Sequence, residues 1–211
     1  MHSDRPSGAL LIIGAIVGMV VIILHPSGIV NSETFAGFAW QNQIVHGVAL
    51  GVPPILFLGL LGLSRRLGAS DLTTAALLAY ALGAVAVVST AVSSGFVATL
   101  VIQQILTGPA EARPVFQALL TYTDLVNQGF AKVNAASGLA SVLLWCAAIW
   151  RSGRIARAPA VAGAVVSVAL LLALFAGALP MDVHGFGLVT LAQSVWLVWI
   201  GVLLCREGGV R

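Results

Sequence analysis

The chain has 211 residues, of which 59% are hydrophobic and only 8% charged, with a formal net charge of +3. A soluble domain carries about a quarter charged residues, so this composition excludes a water-soluble globular protein and makes a lipid bilayer the expected surroundings. The high isoelectric point, near 9.4, does not indicate a nucleic-acid partner, because that would need basic residues clustered with aromatics on a soluble face.

A spanning helix needs about 20 mostly apolar residues. Six stretches qualify: Gly8 to Leu24, Ile44 to Leu63, Leu72 to Leu106, Pro114 to Trp150, Ala158 to Leu179 and Gly185 to Leu204. They consume nearly the whole chain, so the expected fold is all-α: one polytopic membrane bundle of six helices in a single domain, residues 1–211. The first stretch is read as an uncleaved helix and not a signal peptide, since "LHPSGIV" follows it where a small-x-small cleavage site would stand. In this stretch "GAIVG" puts Gly14 and Gly18 at the spacing that lets helices approach closely, and "HGVALG" does the same for Gly47 and Gly51 in the second. Pro53 and Pro54 are expected to kink the second helix and free backbone carbonyls.

The third and fourth stretches, 35 and 37 residues long, give about 50–55 Å of helix against a hydrocarbon core of about 30 Å. "TGPAEARP" between them reads as a tight turn at Gly108 and Pro109, with Pro114 in the first turn of the next helix. The expectation is a hairpin standing out from the outer side of the membrane. Gln117, Thr121, Asp124, Gln128 and Lys132 recur at helical spacing beside an apolar stripe of Val115, Leu119, Tyr122 and Val126. The alternative is an interfacial helix lying flat and joined at Gly129 to a separate span. Trp40 and Tyr122 are expected as aromatic anchors at the outer interface, with Trp145 and Trp150 at the inner one.

Orientation follows the basic residues. Arg5, Arg65, Arg66, Arg151, Arg154, Arg157, Arg206 and Arg211 fall on one side of this topology, leaving Arg113 and Lys132 opposite. By the positive-inside rule both termini are cytoplasmic, in a bacterial inner membrane. Cys146 and Cys205 then fall near cytoplasmic helix ends as reduced thiols, too far apart in sequence for a metal signature.

Counting back from the cytoplasmic ends places His25, His46, Lys132 and His184 at one depth, the outer boundary, where Asp182, Asp124, Gln128, Gln43 and Asn42 also belong. Polar residues at helix ends are ordinary interface anchors, and Lys132 alone would be read as snorkelling or as paired with Asp124. Three His, a Lys and an Asp together are read as an outward-facing polar pocket, because ionisable residues at membrane depth mark function. Lys132, Asp182, Asp124 and Gln128 are its candidate ligand-binding residues. His25, His46 and His184 are its candidate metal ligands, imidazole being a common ligand of zinc, copper and haem iron. Asp182 is placed to complete or orient that set. "VHG" opens both the second and the sixth helices, a faint parallel repeat that would make His46 and His184 counterparts able to hold a haem between them.

No phosphate loop, G-x-S-x-G elbow or midplane acid or base is present, so enzyme activity is the least supported reading and no catalytic residue is named. A small ligand, a metal ion or haem bound in the outer pocket is the leading expectation. The alternatives are a small transporter and a structural or assembly subunit, whether of a homo-oligomer or of a membrane complex. With "FLGLLGLSRRLG", "LVNQGFAKVN" and "DVHGFG", most of the chain resembles a family of uncharacterised bacterial multi-pass inner-membrane proteins. That resemblance implies membrane placement and no activity.

Overall fold

In a computed structural model of the chain, residues 4–26 and 30–207 are described. All regular structure among them is helical: α1 Arg5–Ile23, α2 Phe35–Leu67, α3 Asp71–Val92, α4 Ala98–Thr107, α5 Arg113–Ser152, α6 Ala158–Phe175 and α7 Val183–Glu207. A five-residue π turn, Ser93–Val97, joins α3 to α4, so Asp71–Thr107 is one rod, and six rods are long and apolar enough to cross a bilayer. This is a multi-pass membrane protein.

Local chemistry explains the ends at the arginine-bearing side of the bundle. Ser70 caps α3: its Oγ accepts from the Thr73 N–H, and the Thr73 hydroxyl takes the Ser70 N–H in return, a reciprocal capping box. Gly68 (φ 104°) ends α2 and Gly153 (φ 60°) ends α5, both in the left-handed region that glycine enters without a Cβ penalty. Pro159 sits in the first turn of α6, where its missing N–H costs nothing.

Round the bundle the order is α1, α2, α3, α5, α6, α7, closing as α7 packs on α1. Hydrophobicity cannot drive helices together inside lipid, so close backbone approach and hydrogen bonds do it. A Cβ on Gly8 would lie 2.5 Å from the Gly201 carbonyl, and one on Gly59 would lie 2.6 Å from Leu11. The α5 face toward α3 is stitched at seven-residue intervals. Asn134 donates to the Gly83 carbonyl and Ser141 to the Ala76 carbonyl, both at 2.8 Å, and Asn127 accepts from Ser93 at 3.4 Å. The Tyr80 hydroxyl donates to the Pro53 carbonyl in mid-α2, and Trp196 Nε1 ties α7 to the Pro159 carbonyl of α6. The main core, at the arginine end, is built on Leu11, Leu60, Leu63, Trp145, Ile149 and Ile200.

Several expectations change. Gly14 does meet Leu56, but a Cβ on Gly47 or Gly51 would meet nothing within 4 Å. Their spacing is right, but they lie on the wrong face of α2 to admit a neighbour. Trp145 is 1% exposed and belongs to the core, so it is no interface anchor; Trp150 is exposed, with the Arg157 guanidinium 4.7 Å above its ring. Helix α5 is continuous through Gly129, so no break separates the stretch before Gly129 from the span after it. Helix α2 starts at Phe35, a full two turns before the expected Ile44, and α6 stops at Phe175, short of Leu179. Arg211 lies outside the described residues.

Candidate histidine site

Antiparallel registers set the depth of the site. Gly59 against Leu11 and Gly14 against Leu56 fix α2 on α1, and that register brings His46 level with the residues just after α1. Gly8 against Gly201 and Gly187 against Ile22 fix α7, and bring His184 to the same level. Three helices continue past this layer: α2 back to Phe35, α4 on to Thr107 and α5 back to Arg113.

Within the layer the rings of His25 and His46 stand against each other, centroids 5.0 Å apart and planes at 73°. His46 is buried on α2, and its Nδ1 lies 2.8 Å from the Asn42 carbonyl. A carbonyl only accepts, so Nδ1 carries the hydrogen, and in the neutral ring Nε2 keeps its lone pair. His25 sits in the link after α1, which Gln41 holds by donating to the Leu24 carbonyl at 3.0 Å. Burial pushes the His25 imidazole below its ordinary value of 6.5; the Pro26 backbone offsets part of this without making a hydrogen bond to the buried Nδ1.

Behind His46 lies the π turn. The Ala98 N–H reaches back five residues to the Ser93 carbonyl, and the wider turn leaves neighbouring carbonyls to be satisfied from outside the helix. Asn42 supplies the donors: its Nδ2 lies 3.0 Å from the Ser94 carbonyl, 3.3 Å from that of Gly95 and 2.9 Å from Thr99 Oγ1. Thr99 passes its own hydrogen to the Gly95 carbonyl at 2.8 Å. Gly95 has to be glycine, since a Cβ there would collide with His46 Cβ and Cγ. The sequence reading placed Asn42 in the layer but missed Gly95, Thr99 and the π turn. The visible signal was the Ser/Thr/Gly run "STAVSSGFVAT" inside an otherwise apolar stretch.

The other expected residues lie apart from this pair. Asp182 is the N-cap of α7: its exposed Oδ1 accepts from the Gly185 N–H at 2.9 Å and the His184 N–H at 3.0 Å, as a capping Asp does. His184 is exposed on the first turn of α7. Asp124 accepts from Gln128 Nε2 at 3.0 Å on the outward face of α5, and Lys132, one turn further on, is exposed. Among the described residues no three His, Cys, Asp or Glu side chains come together as a metal-holding group. The three-His centre, with Asp182 completing it, is therefore not assembled here, because equal depth does not put side chains on facing sides of their helices.

The Gly185 N–H, with the His184 N–H behind it, holds the Asp182 carboxyl below its ordinary 3.8. A depressed folded value means that the cap contributes fully above the unfolded pKa and is lost as pH falls through the folded one. Asp182→Ala is expected to fray the first turn of α7 at neutral pH, read as faster amide exchange at His184 and Gly185. Exchange unchanged by the substitution would show that the cap does not hold that turn.

Comparison with protein-family models, with curated proteins and with solved structures finds no match to this chain.

Proposed function

We propose that the protein resides in a bacterial inner membrane with both termini in the cytoplasm, and binds a small ligand at a site on the outer side centred on His25 and His46. The observation that carries this is the pairing of the two rings beside the π turn. Polar and ionisable groups at membrane depth mark functional positions, and π turns recur at functional sites. The orientation is supported by Arg5, Arg65, Arg66, Arg151, Arg154, Arg157 and Arg206, all at the opposite end of the bundle from the histidines. The 40 residues of α5 make about 60 Å of helix against a core of about 30 Å, which supports α4 and α5 standing outside the membrane as a paired hairpin. Exposed Val115, Leu119 and Tyr122 on that part of α5 favour a second reading, a subunit that docks a partner through this stripe.

In a chain whose Cys146 and Cys205 are replaced by Ala, Gln43→Cys and Tyr122→Cys are expected to react with a membrane-impermeant maleimide on intact cells. Arg65→Cys is expected to react only after lysis. The reverse pattern would invert the topology, and protection of both outer positions would show that this layer is not open to the outside. Elemental analysis and an absorption spectrum of the detergent-purified protein identify what it carries.

A further inference from the structure

Two rings at 5.0 Å constrain what can sit between them. With a metal–nitrogen bond of about 2.0 Å and each centroid about 1.1 Å behind its nitrogen, linear coordination separates the centroids by about 6.2 Å. Haem held by two axial histidines needs that linear arrangement, with a macrocycle between the rings; this pair is too close for it. With one nitrogen of each ring turned to a shared ion, centroids at 5.0 Å would set the nitrogen–metal–nitrogen angle at about 107°, near tetrahedral.

The donors are chosen for such an ion. His46 has its Nδ1 engaged by the Asn42 carbonyl, the arrangement that orients a ligating imidazole and leaves Nε2 to bind. His25 Nδ1 is buried with no hydrogen-bond partner, a cost that a metal would remove if that nitrogen turned to it. Calcium and magnesium require oxygen ligands, whereas imidazole suits zinc, copper, iron and nickel.

We infer that His25 and His46 are the two protein ligands of a first-row transition-metal ion bound near-tetrahedrally, with its remaining positions open to water or a substrate. The assignment rests on the outward ligand site proposed above and names its ligand class. A site with two protein ligands is open and exchanges its ion, as a point of metal entry or of metal-assisted binding would.

The test is titration of cobalt(II) into the tag-free, detergent-purified full chain, followed by visible absorption. One equivalent per chain is expected to develop the intense bands of tetrahedral cobalt, and zinc to bleach them. His46→Ala and His25→Ala are both expected to abolish the bands. His25 lies in the link and not on a helix, so His25→Ala keeps the test valid if His46→Ala does not fold, as judged by gel filtration and circular dichroism. Absence of the bands, or bands that survive either substitution in a folded protein, overturns the metal assignment while leaving a maleimide-accessible site standing. Bands lost on His184→Ala overturn the two-ligand geometry. Closure of Gln43→Cys to the outer reagent overturns the reading beneath it instead.

Discussion

Gly95→Ala is expected to destabilise the protein by about 1–3 kcal/mol, the cost of forcing a methyl group into filled space. The added carbon would collide with His46 Cβ and Cγ. Both are the rigid root of a side chain, so rotation cannot relieve the clash and α2 must back away from the π turn. That motion also lengthens the Asn42 contacts to Ser94, Gly95 and Thr99, each worth about 0.6 kcal/mol and at most about 1.7 inside a membrane. Over three contacts this comes to about 1.8 kcal/mol, comparable with the clash, so Gly95→Ala loses on both counts. Asn42→Leu, which removes only the donors, should cost less than Gly95→Ala. Unfolding in mixed micelles of rising SDS fraction ranks the two; a Gly95→Ala protein as stable as the parent would show that α2 does not press on the turn.

The largest loss is expected for Trp145→Ala, about 3–5 kcal/mol by the measure of buried aromatic truncations. Trp145 is 1% exposed among Leu11, Leu60, Ile149 and Ile200. In lipid the gain from leaving water is absent, so this cost is carried by the dispersion contacts a void forfeits and should fall toward the lower end. Trp145→Phe is expected to behave differently. Nε1 of Trp145 is buried without a partner, and an unsatisfied donor costs about 1–3 kcal/mol. Removing it offsets the lost volume, leaving the variant near neutral. Trp196→Phe, which deletes the bond to the Pro159 carbonyl, should instead lose stability. Thermal midpoints of the three variants in one detergent decide; equal losses for both Phe variants would mean that Trp145 Nε1 has found an acceptor.

The six spans were legible because bilayer thickness imposes a length that an apolar run either meets or does not. The start of α2 was not: "FAGFAWQNQ" is too polar to read as a span, and its helix is largely exposed, tied to the link after α1 by Gln41 on the Leu24 carbonyl. Counting depth brought His25 and His46 to one level, and they do touch. The same count included His184, but depth carries no information about which way round a helix a residue faces. Glycine spacing failed for the same reason at Gly47 and Gly51, while Gly8 and Gly201, far apart in sequence, make the tight crossing. Asp182 was legible as a polar start to α7, but its role as a cap depends on backbone donors two and three residues on. The π turn left only the Ser/Thr/Gly run around it, whose residues are small enough to pass as ordinary membrane helix.

That turn also sets the phase of everything above it. One residue of an α-helix is about 100° of rotation, and a π turn inserts the equivalent of one residue without breaking the rod. Below it, Leu78, Leu82 and Val85 look outward from the bundle, while above it Thr99 looks inward to Asn42. Closing Ser93–Val97 into a regular α turn with all five residues kept would act as a twist and not as a shortening. The helix would stay intact, but Thr99 would swing out of reach of Asn42 and Leu100 would turn with it, and the α4 face offered to α5 would no longer match. The azimuth of the whole hairpin is thus geared to five small residues pressed against one histidine.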